Sequence, residues 1–345
     1  GFMTDEIYMQ RCIDIAKRGI RAVAPNPMVG CVLVVEDKII GEGYHERYGE
    51  AHAEVNAINN VSNQNLLKNA TLYVSLEPCS HTGKTPPCCD LLIQKGIKKV
   101  IVGTKDPNPL VGGKGIEKLK NSGIEVSEGI LKDQCLELNK RFFTFHEKQR
   151  PYVILKWAQT LDGFLDQIRK DGEQKINWIS EPETKTLVHK WRSEEQSILV
   201  GRNTITNDNP SLTVRDYGGM NPIRLVIDSQ LQISGNLNIY SKDAPTIVFN
   251  RVKDKKENNV EWIKIKETST NSILEELYRR GIQSVFVEGG SRTLQYFIID
   301  NLWDEARVIV GQKYFKEGYK APIINKVPVK SMPFGKDMIH YYKRK

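Results

Sequence analysis

The stretch Thr71-Leu72-Tyr73-Val74-Ser75-Leu76-Glu77-Pro78-Cys79-Ser80-His81-Thr82-Gly83-Lys84-Thr85-Pro86-Pro87-Cys88-Cys89 passes from a β-rich run through a proline-punctuated turn into a helical run near 88–95. Strand, turn and helix in that order make the unit of a sheet covered by helices. Working outward, residues 52–60 read as helix and 29–36 as a buried strand. Residues 4–19 carry helical periodicity after Thr4, an N-cap residue type. Downstream come a strand at 100–103, a helix at 115–121, a strand at 124–127 and an amphipathic closing helix at 131–146.

Residues 147–151 are polar and end in Pro151, which marks a domain boundary. The sequence predicts two domains, 3–148 and 149–345, with Gly1 and Phe2 set aside because Met3 reads as the natural start. The second half restarts with a strand at 152–156, then a helix at 181–192 and strands at 196–200, 223–227 and 245–249. A helix at 271–280, a strand at 284–287, a helix at 291–299 and a strand at 305–310 complete a second α/β domain. Tyr341 to Lys345 read as a frayed tail.

A content of 39% hydrophobic and 27% charged residues is that of a soluble globular protein. No run approaches the roughly 18–20 apolar residues that span a bilayer. The first apolar stretch, Ile13 to Ile20, is broken by Asp14, Lys17 and Arg18, unlike a signal peptide, so a cytoplasmic location with no membrane partner is expected. The net charge of +8 reads first as a solvated basic surface and, more sharply, as attraction to phosphorylated small molecules; its spread without a dense stripe argues against nucleic acid. All six cysteines lie in the first half, which in such a chain indicates a metal site and core thiols rather than disulfides.

The chemistry is concentrated in His52-Ala53-Glu54 followed by Pro78-Cys79 and the pair Cys88-Cys89. One His and two Cys hold Zn²⁺ tetrahedrally with a fourth position open to water. The metal lowers the pKa of that water toward about 7, so that it attacks an amino-bearing ring carbon. Glu54, next to the ligand but not one itself, carries the proton from water to departing ammonia. His-x-Glu with Pro-Cys is the zinc-deaminase signature. On the residues alone, Cys88 and Cys89 both stand as the third ligand.

The segment Pro78 to Cys88, with eight residues between the two cysteines rather than two, resembles the bifunctional riboflavin-biosynthesis deaminase/reductase family. So do Pro25-Asn26-Pro27-Met28-Val29-Gly30 and Gly43-Tyr44-His45, and the resemblance runs over essentially the whole chain. It selects Cys88. It implies a three-layer α/β/α cytidine-deaminase-like fold and removal of the 2-amino group of a diaminopyrimidinone ribosyl 5′-phosphate. It also implies that Asn26, His45, His81 and Lys84 line the substrate pocket. Lys84 and His81 suit a phosphate or a pyrimidine edge, and Asn26 offers both donor and acceptor.

No Gly-x-Gly-x-x-Gly follows a strand in the second half. Val287-Glu288-Gly289-Gly290-Ser291, between strand and helix, lets backbone amides approach a phosphate. Lys156 to Gly163, Trp178-Ile179-Ser180, Gly201 to Thr204, Asn207 to Arg215 and Asp228-Ser229 resemble the family's reductase motifs. The resemblance implies a dihydrofolate-reductase-like α/β domain that uses NADPH to reduce the ribosyl group to ribityl. It places Ala158, Trp178, Thr204, Asp208, Ser229 and the run Gly290, Ser291, Arg292, Thr293, Leu294, Gln295 and Tyr296 on NADPH. Arg192, Leu212, Arg215 and Glu288 fall on substrate, with Lys156 catalytic. Phe164 to Asn177 is longer and more charged than in many relatives and reads as a loop, with Ile176 where they carry Ser. The family also implies a homo-oligomer, dimer or tetramer. Two other readings compete: a nucleoside or tRNA deaminase with a non-catalytic C-terminal domain, and a zinc-stabilised interaction protein, which has no use for Glu54.

Overall fold

Period-two alternation decides which side chains meet which helices. The structure, a computed structural model, describes residues 2–83, 86–168 and 178–345. It divides into two compact units, Gly1–Lys148 and Gln149–Lys345.

In the first unit, α1 (Phe2–Ala16) precedes β1 (Gly30–Val35) and β2 (Lys38–Tyr44). Then come α2 (Ala53–Asn59), β3 (Thr71–Leu76), α3 (Cys88–Gln94), β4 (Lys99–Thr104), α4 (Lys114–Asn121) and β5 (Glu125–Glu128). The unit closes with α5 (Lys132–Leu138) and α6 (Lys140–Lys148). The sheet order is β2-β1-β3-β4-β5, antiparallel at β2-β1-β3 and parallel from β3 to β5. Cys31, Leu33, Leu72, Val74, Val100 and Val102 pack on one face under Ala57, Leu92 and Leu119 of α2, α3 and α4. The residues between them in sequence, Val32, Val34, Tyr73 and Ile101, pack on the other face against Met9, Cys12 and Cys135 of α1 and α5. That is the three-layer cytidine-deaminase-like architecture.

The sequence expectations needed four corrections. The helix expected from Thr4 begins at Phe2. The single closing helix breaks at Asn139, whose buried amide accepts from Met28 N at 2.7 Å and donates to Met28 O at 2.8 Å. There the side chain takes the place of a strand partner. Of the expected 164–177 loop, Phe164–Asp166 is a short strand, β7, while 169–177 lie outside the described residues. The C-terminal tail is not frayed. Its residues belong to a strand, given below.

In the second unit, β6 (Tyr152–Gln159) and β7 are followed by α7 (Pro182–Ser193), β8 (Ser197–Gly201), α8 (Arg202–Asp208), β9 (Ile223–Ile227) and β10 (Thr246–Asn250). Next are β11 (Lys255–Glu257), β12 (Val260–Lys264), α9 (Thr270–Arg279), β13 (Ser284–Gly289), α10 (Ser291–Ile299) and β14 (Glu305–Val310). The last strands are β15 (Tyr319–Lys320), β16 (Lys330–Phe334) and β17 (Asp337–Lys343). Ten of these strands form a sheet in the order β11-β12-β10-β9-β8-β13-β6-β14-β17-β16. It is parallel from β12 to β14, with antiparallel edges. The tail residues Tyr341, Tyr342 and Lys343 pair with Arg307, Ala306 and Glu305 of β14, which the sequence hid because the partner strand is remote. The carboxyl ends of the parallel strands open toward one cavity, where open α/β sheets bind ligands.

Candidate active sites

His52 caps α2 in an extended conformation, and its imidazole makes no capping bond. It faces two sulfurs: Nδ1 lies 3.4 Å from Cys88 Sγ and 3.9 Å from Cys79 Sγ. The three potential ligand atoms lie within 4.8 Å of one another. Tetrahedral zinc with ordinary bond lengths sets such ligand atoms roughly 3.5–3.8 Å apart, close to the 3.4 and 3.9 Å between His52 Nδ1 and the two sulfurs, so the donor set suits the ion. Cys88 opens α3, and its backbone N–H donates to Cys79 Sγ at 3.2 Å. Cys89 is one helical step further round. Its buried thiol turns away, to the carbonyls of Pro78 and Gly115. Hydrogen bonding from Cys88 holds the Cys79 thiol well below its ordinary value against the opposing cost of burial, and the same bond pushes Cys88 up. Metal ligation requires both sulfurs as thiolates, so binding would release the remaining thiol proton.

Glu54 sits in the first turn of α2 with 4% of its surface exposed, and burial raises its carboxyl. His45 is also buried, and its ring meets His52 edge-on at 5.4 Å between centroids. Its Nδ1 lies 3.1 Å from the Ala51 carbonyl, so it carries the hydrogen and leaves Nε2 to accept from Asn26 Nδ2 at 3.2 Å. Burial lowers this imidazole, which favours the neutral form. Asn26, His45, His52, Glu54, Cys79 and the exposed His81 line one cavity of about 400 Å³. Lys84 lies outside the described residues. Sequence reading missed Tyr48, Asp106, Val111 and Phe142, which line the same cavity. Phe142 stands beside the core residue Phe143, and nothing local distinguishes the two.

The helix carrying His52 and Glu54 is seated on glycines. A Cβ on Gly43 would lie 2.4 Å from Ala57 N, and one on Gly41 would lie 2.6 Å from Ala57 O. Gly43→Ala is expected to push α2 off β2, costing about 1–3 kcal/mol and most of the activity of this cavity. A thermal melt read beside an assay of each unit checks it.

In the second unit a cavity of about 1400 Å³ is lined by Lys156, Ala158, Trp178, Arg192, Thr204, Asp208, Leu212, Arg215, Ser229, Glu288, Gly290, Ser291, Arg292, Thr293 and Tyr296. Two residues expected there do not reach it. Leu294 is fully buried in the core, and its amide is used within α10 by Gly290 O. Gln295 is not among the lining residues either, being turned from the cavity by the helical phase of its neighbours. Glu288 is the hub. Its Oε1 takes Lys156 Nζ at 3.1 Å, and its Oε2 takes Arg192 Nε at 3.0 Å and Nη2 at 2.9 Å. Burial would raise this carboxyl, but Arg192 and Lys156 outweigh it and hold it below the ordinary value. His189, missed in the sequence, lies 3.4 Å from Arg192 Nη1 and accepts from Asp216 N at 3.1 Å. Burial, then the neighbouring Arg192, lowers it to about 4 and keeps it neutral.

The wall opposite is a glycine cradle at the start of α10. A Cβ on Gly201 would meet Thr293 Oγ1 at 2.6 Å, and one on Gly290 would meet Thr204 Oγ1 at 3.3 Å. Gly290 caps α10 without a side chain, so the amides of the first turn stay open to a phosphate. The volume of this cavity and the uncapped first turn of α10 on its wall are compatible with a dinucleotide.

Comparison with known proteins agrees with both halves. The chain matches the cytidine and deoxycytidylate deaminase zinc-binding region over residues 3–104 and the RibD C-terminal domain over residues 151–318. It is 40% identical to the riboflavin biosynthesis protein RibD of Aquifex aeolicus (strain VF5), covering 99% of this chain and 98% of the relative. It is 42% identical to that of Bacillus amyloliquefaciens over 87% of this chain and 82% of the relative. Among solved structures, a diaminohydroxyphosphoribosylaminopyrimidine deaminase/5-amino-6-(5-phosphoribosylamino)uracil reductase from Thermotoga maritima superposes with a TM-score of 0.90 at 38% identity, covering 99% of each chain. Acinetobacter baumannii RibD does so with a TM-score of 0.87 at 31% identity, again covering 99% of each.

A zinc-binding deaminase unit followed by a reductase unit in one chain defines a two-activity enzyme. The chain belongs to the RibD family, the bifunctional zinc-dependent deaminase and NADPH-dependent reductase of riboflavin biosynthesis. Among the described residues, no helix is long and apolar enough to cross a membrane.

Proposed function

We propose that unit 3–148 deaminates diaminohydroxyphosphoribosylaminopyrimidine and that unit 149–345 reduces 5-amino-6-(5-phosphoribosylamino)uracil, the two activities in the Thermotoga maritima relative's name. The observation that carries the reading is the grouping of His52, Cys79 and Cys88 beside the buried Glu54. Held by those three residues, zinc supplies a Lewis acid that makes water nucleophilic near neutral pH. Glu54 takes the proton of the attacking water and delivers it to the amine, as the new C–O bond forms and the ring C–N bond breaks. Burial suits Glu54 to hold that proton between the two transfers. Neutral His45 lines the pocket and fixes the Asn26 amide, whose oxygen and second N–H meet the pyrimidine edge, and His81 and Lys84 serve the phosphate side of the substrate.

In the second unit NADPH, when bound, supplies the hydride. The amides opening α10, with Thr204, Asp208 and Ser229, receive its phosphates and ribose, and Ala158 and Trp178 flank it. Lys156 donates the proton that the sugar ring oxygen needs as C1′ gains hydride and its bond to that oxygen breaks, leaving ribityl. Glu288 aims Lys156, and Arg192 and Arg215 take the 5′-phosphate beside Leu212. A nucleoside or tRNA deaminase with an idle C-terminal half is not favoured, because a buried carboxylate pairing two cations in a cavity has no role in an inert domain.

Chelation of the full chain tests the division of labour. Ammonia release is expected to stop and to return with added zinc, while NADPH oxidation on 5-amino-6-(5-phosphoribosylamino)uracil continues unchanged. Loss of both activities, or of neither, overturns the assignment.

A further inference from the structure

Glu77 precedes the Pro78-Cys79 turn, is half-buried, and is used by no step above. Its carboxylate accepts three backbone N–H groups of a segment remote in sequence. Oε1 takes Asp106 N at 2.7 Å and Gly113 N at 2.8 Å, and Oε2 faces Ile116 N at 3.4 Å. Gly113 is the N-cap of α4 and has no side chain to cap it, so Glu77 supplies the missing cap from another strand end. Asp106 and Val111 of the loop so held line the deaminase cavity, as does Glu77 itself, whose two oxygens are taken up by these backbone donors. Cys89 adds a second tie, its thiol lying between the carbonyls of Pro78 and Gly115, and a Cβ on Gly115 would come within 2.0 Å of Pro78 O.

We propose that Glu77 is a positioning residue of the deaminase: with its carboxylate spent on backbone donors, it fastens the 105–113 loop as part of the cavity wall and acts on substrate binding through Asp106 and Val111. The inference rests on the deaminase reading of this cavity. An acceptor of three donors at a helix start is worth more than an ordinary hydrogen bond, because both the charge and otherwise orphaned N–H groups are involved. Without it the loop samples open conformations. The apparent affinity then falls by the fraction that stays closed, while the proton transfer at Glu54 in the closed fraction is unchanged.

Glu77→Ala is therefore expected to raise the deaminase KM about tenfold or more, with kcat within about threefold and zinc content and reductase rate as in the wild type. Glu77→Gln keeps a carbonyl for Asp106 N and Gly113 N and should recover most of the KM. Gly112→Ala disturbs the same loop from its other side, since its Cβ would meet Asp106 O at 2.1 Å, and should reproduce the KM rise with Glu77 intact. An unchanged KM in Glu77→Ala, or in Gly112→Ala should Glu77→Ala not fold, overturns the inference. So does a joint fall of kcat and zinc, which would place Glu77 in support of Cys79 instead. A wild-type chain that releases no ammonia from its pyrimidine would overturn the deaminase reading itself, which separates the two failures.

Discussion

Glu54→Gln is expected to lower ammonia release by a factor of about 10²–10⁴, the usual contribution of a positioned acid–base group. Zinc content and the reductase rate should stay as in the wild type. The amide has nearly the size of the carboxylate, so the packing of α2 on Gly41 and Gly43 that fixes residue 54 is preserved. What disappears is the ability to take a proton and give it back. The buried setting makes this loss hard to repair, because Glu54 is 4% exposed and bulk water does not reach it freely. Glu54 is not one of the three clustered ligands, so a metal assay on the variant separates a lost proton carrier from a lost ion. Turnover retained in the presence of bound zinc would remove Glu54 from the mechanism.

How much of this site was legible in the sequence depended on whether the chemistry was local. His52 and Glu54 lie two residues apart at the N-cap and first turn of one helix, and Cys79 comes three residues after a strand of strong β-formers, so motif and element agreed. The choice between Cys88 and Cys89 was not local. One residue of helix rotates a side chain by about 100°, and only family spacing pointed to Cys88. The structure groups Cys88 with His52 and spends Cys89 on two carbonyls. Strand β2 went unread because Gly41 and Gly43 erase its alternation, yet those glycines are what allow α2 to approach. The break at Asn139 was invisible because its cause, the backbone of Met28, lies 111 residues away. In the reductase half, motif resemblance named a continuous run from Gly290 to Tyr296, but a helix turns its faces. Leu294 went to the core while Thr293 and Tyr296 stayed on the cavity. The β14–β17 pairing depends on a partner remote in sequence and left no local signal, whereas His189, one turn before Arg192 on α7, could have been found from that i, i+3 spacing.

Lys156→Met is the mirror image of the Glu54 lesion. It should lower the reductase rate by about 10²–10⁴ and leave ammonia release at the wild-type level. Methionine keeps the unbranched length of the side chain and removes the charge and the transferable proton. The loss should fall on catalysis rather than on folding, because Glu288 keeps Arg192, whose Nε and Nη2 lie 3.0 and 2.9 Å from Oε2. Arg192 also remains anchored by donating to Thr213 O at 3.1 Å. Removing one cation therefore leaves the buried carboxylate paired, unlike the stranded charge that makes most buried-pair deletions costly. Cofactor binding gives the independent readout. The ammonium of Lys156 is spent on Glu288 rather than on the first turn of α10, so NADPH titrated into the variant should bind as it does to the wild type. A variant that binds NADPH normally and fails to oxidise it fixes Lys156 at the hydride step. If NADPH affinity fell with the rate, the lysine would be holding cofactor, and the proton would have to come from elsewhere in the cavity.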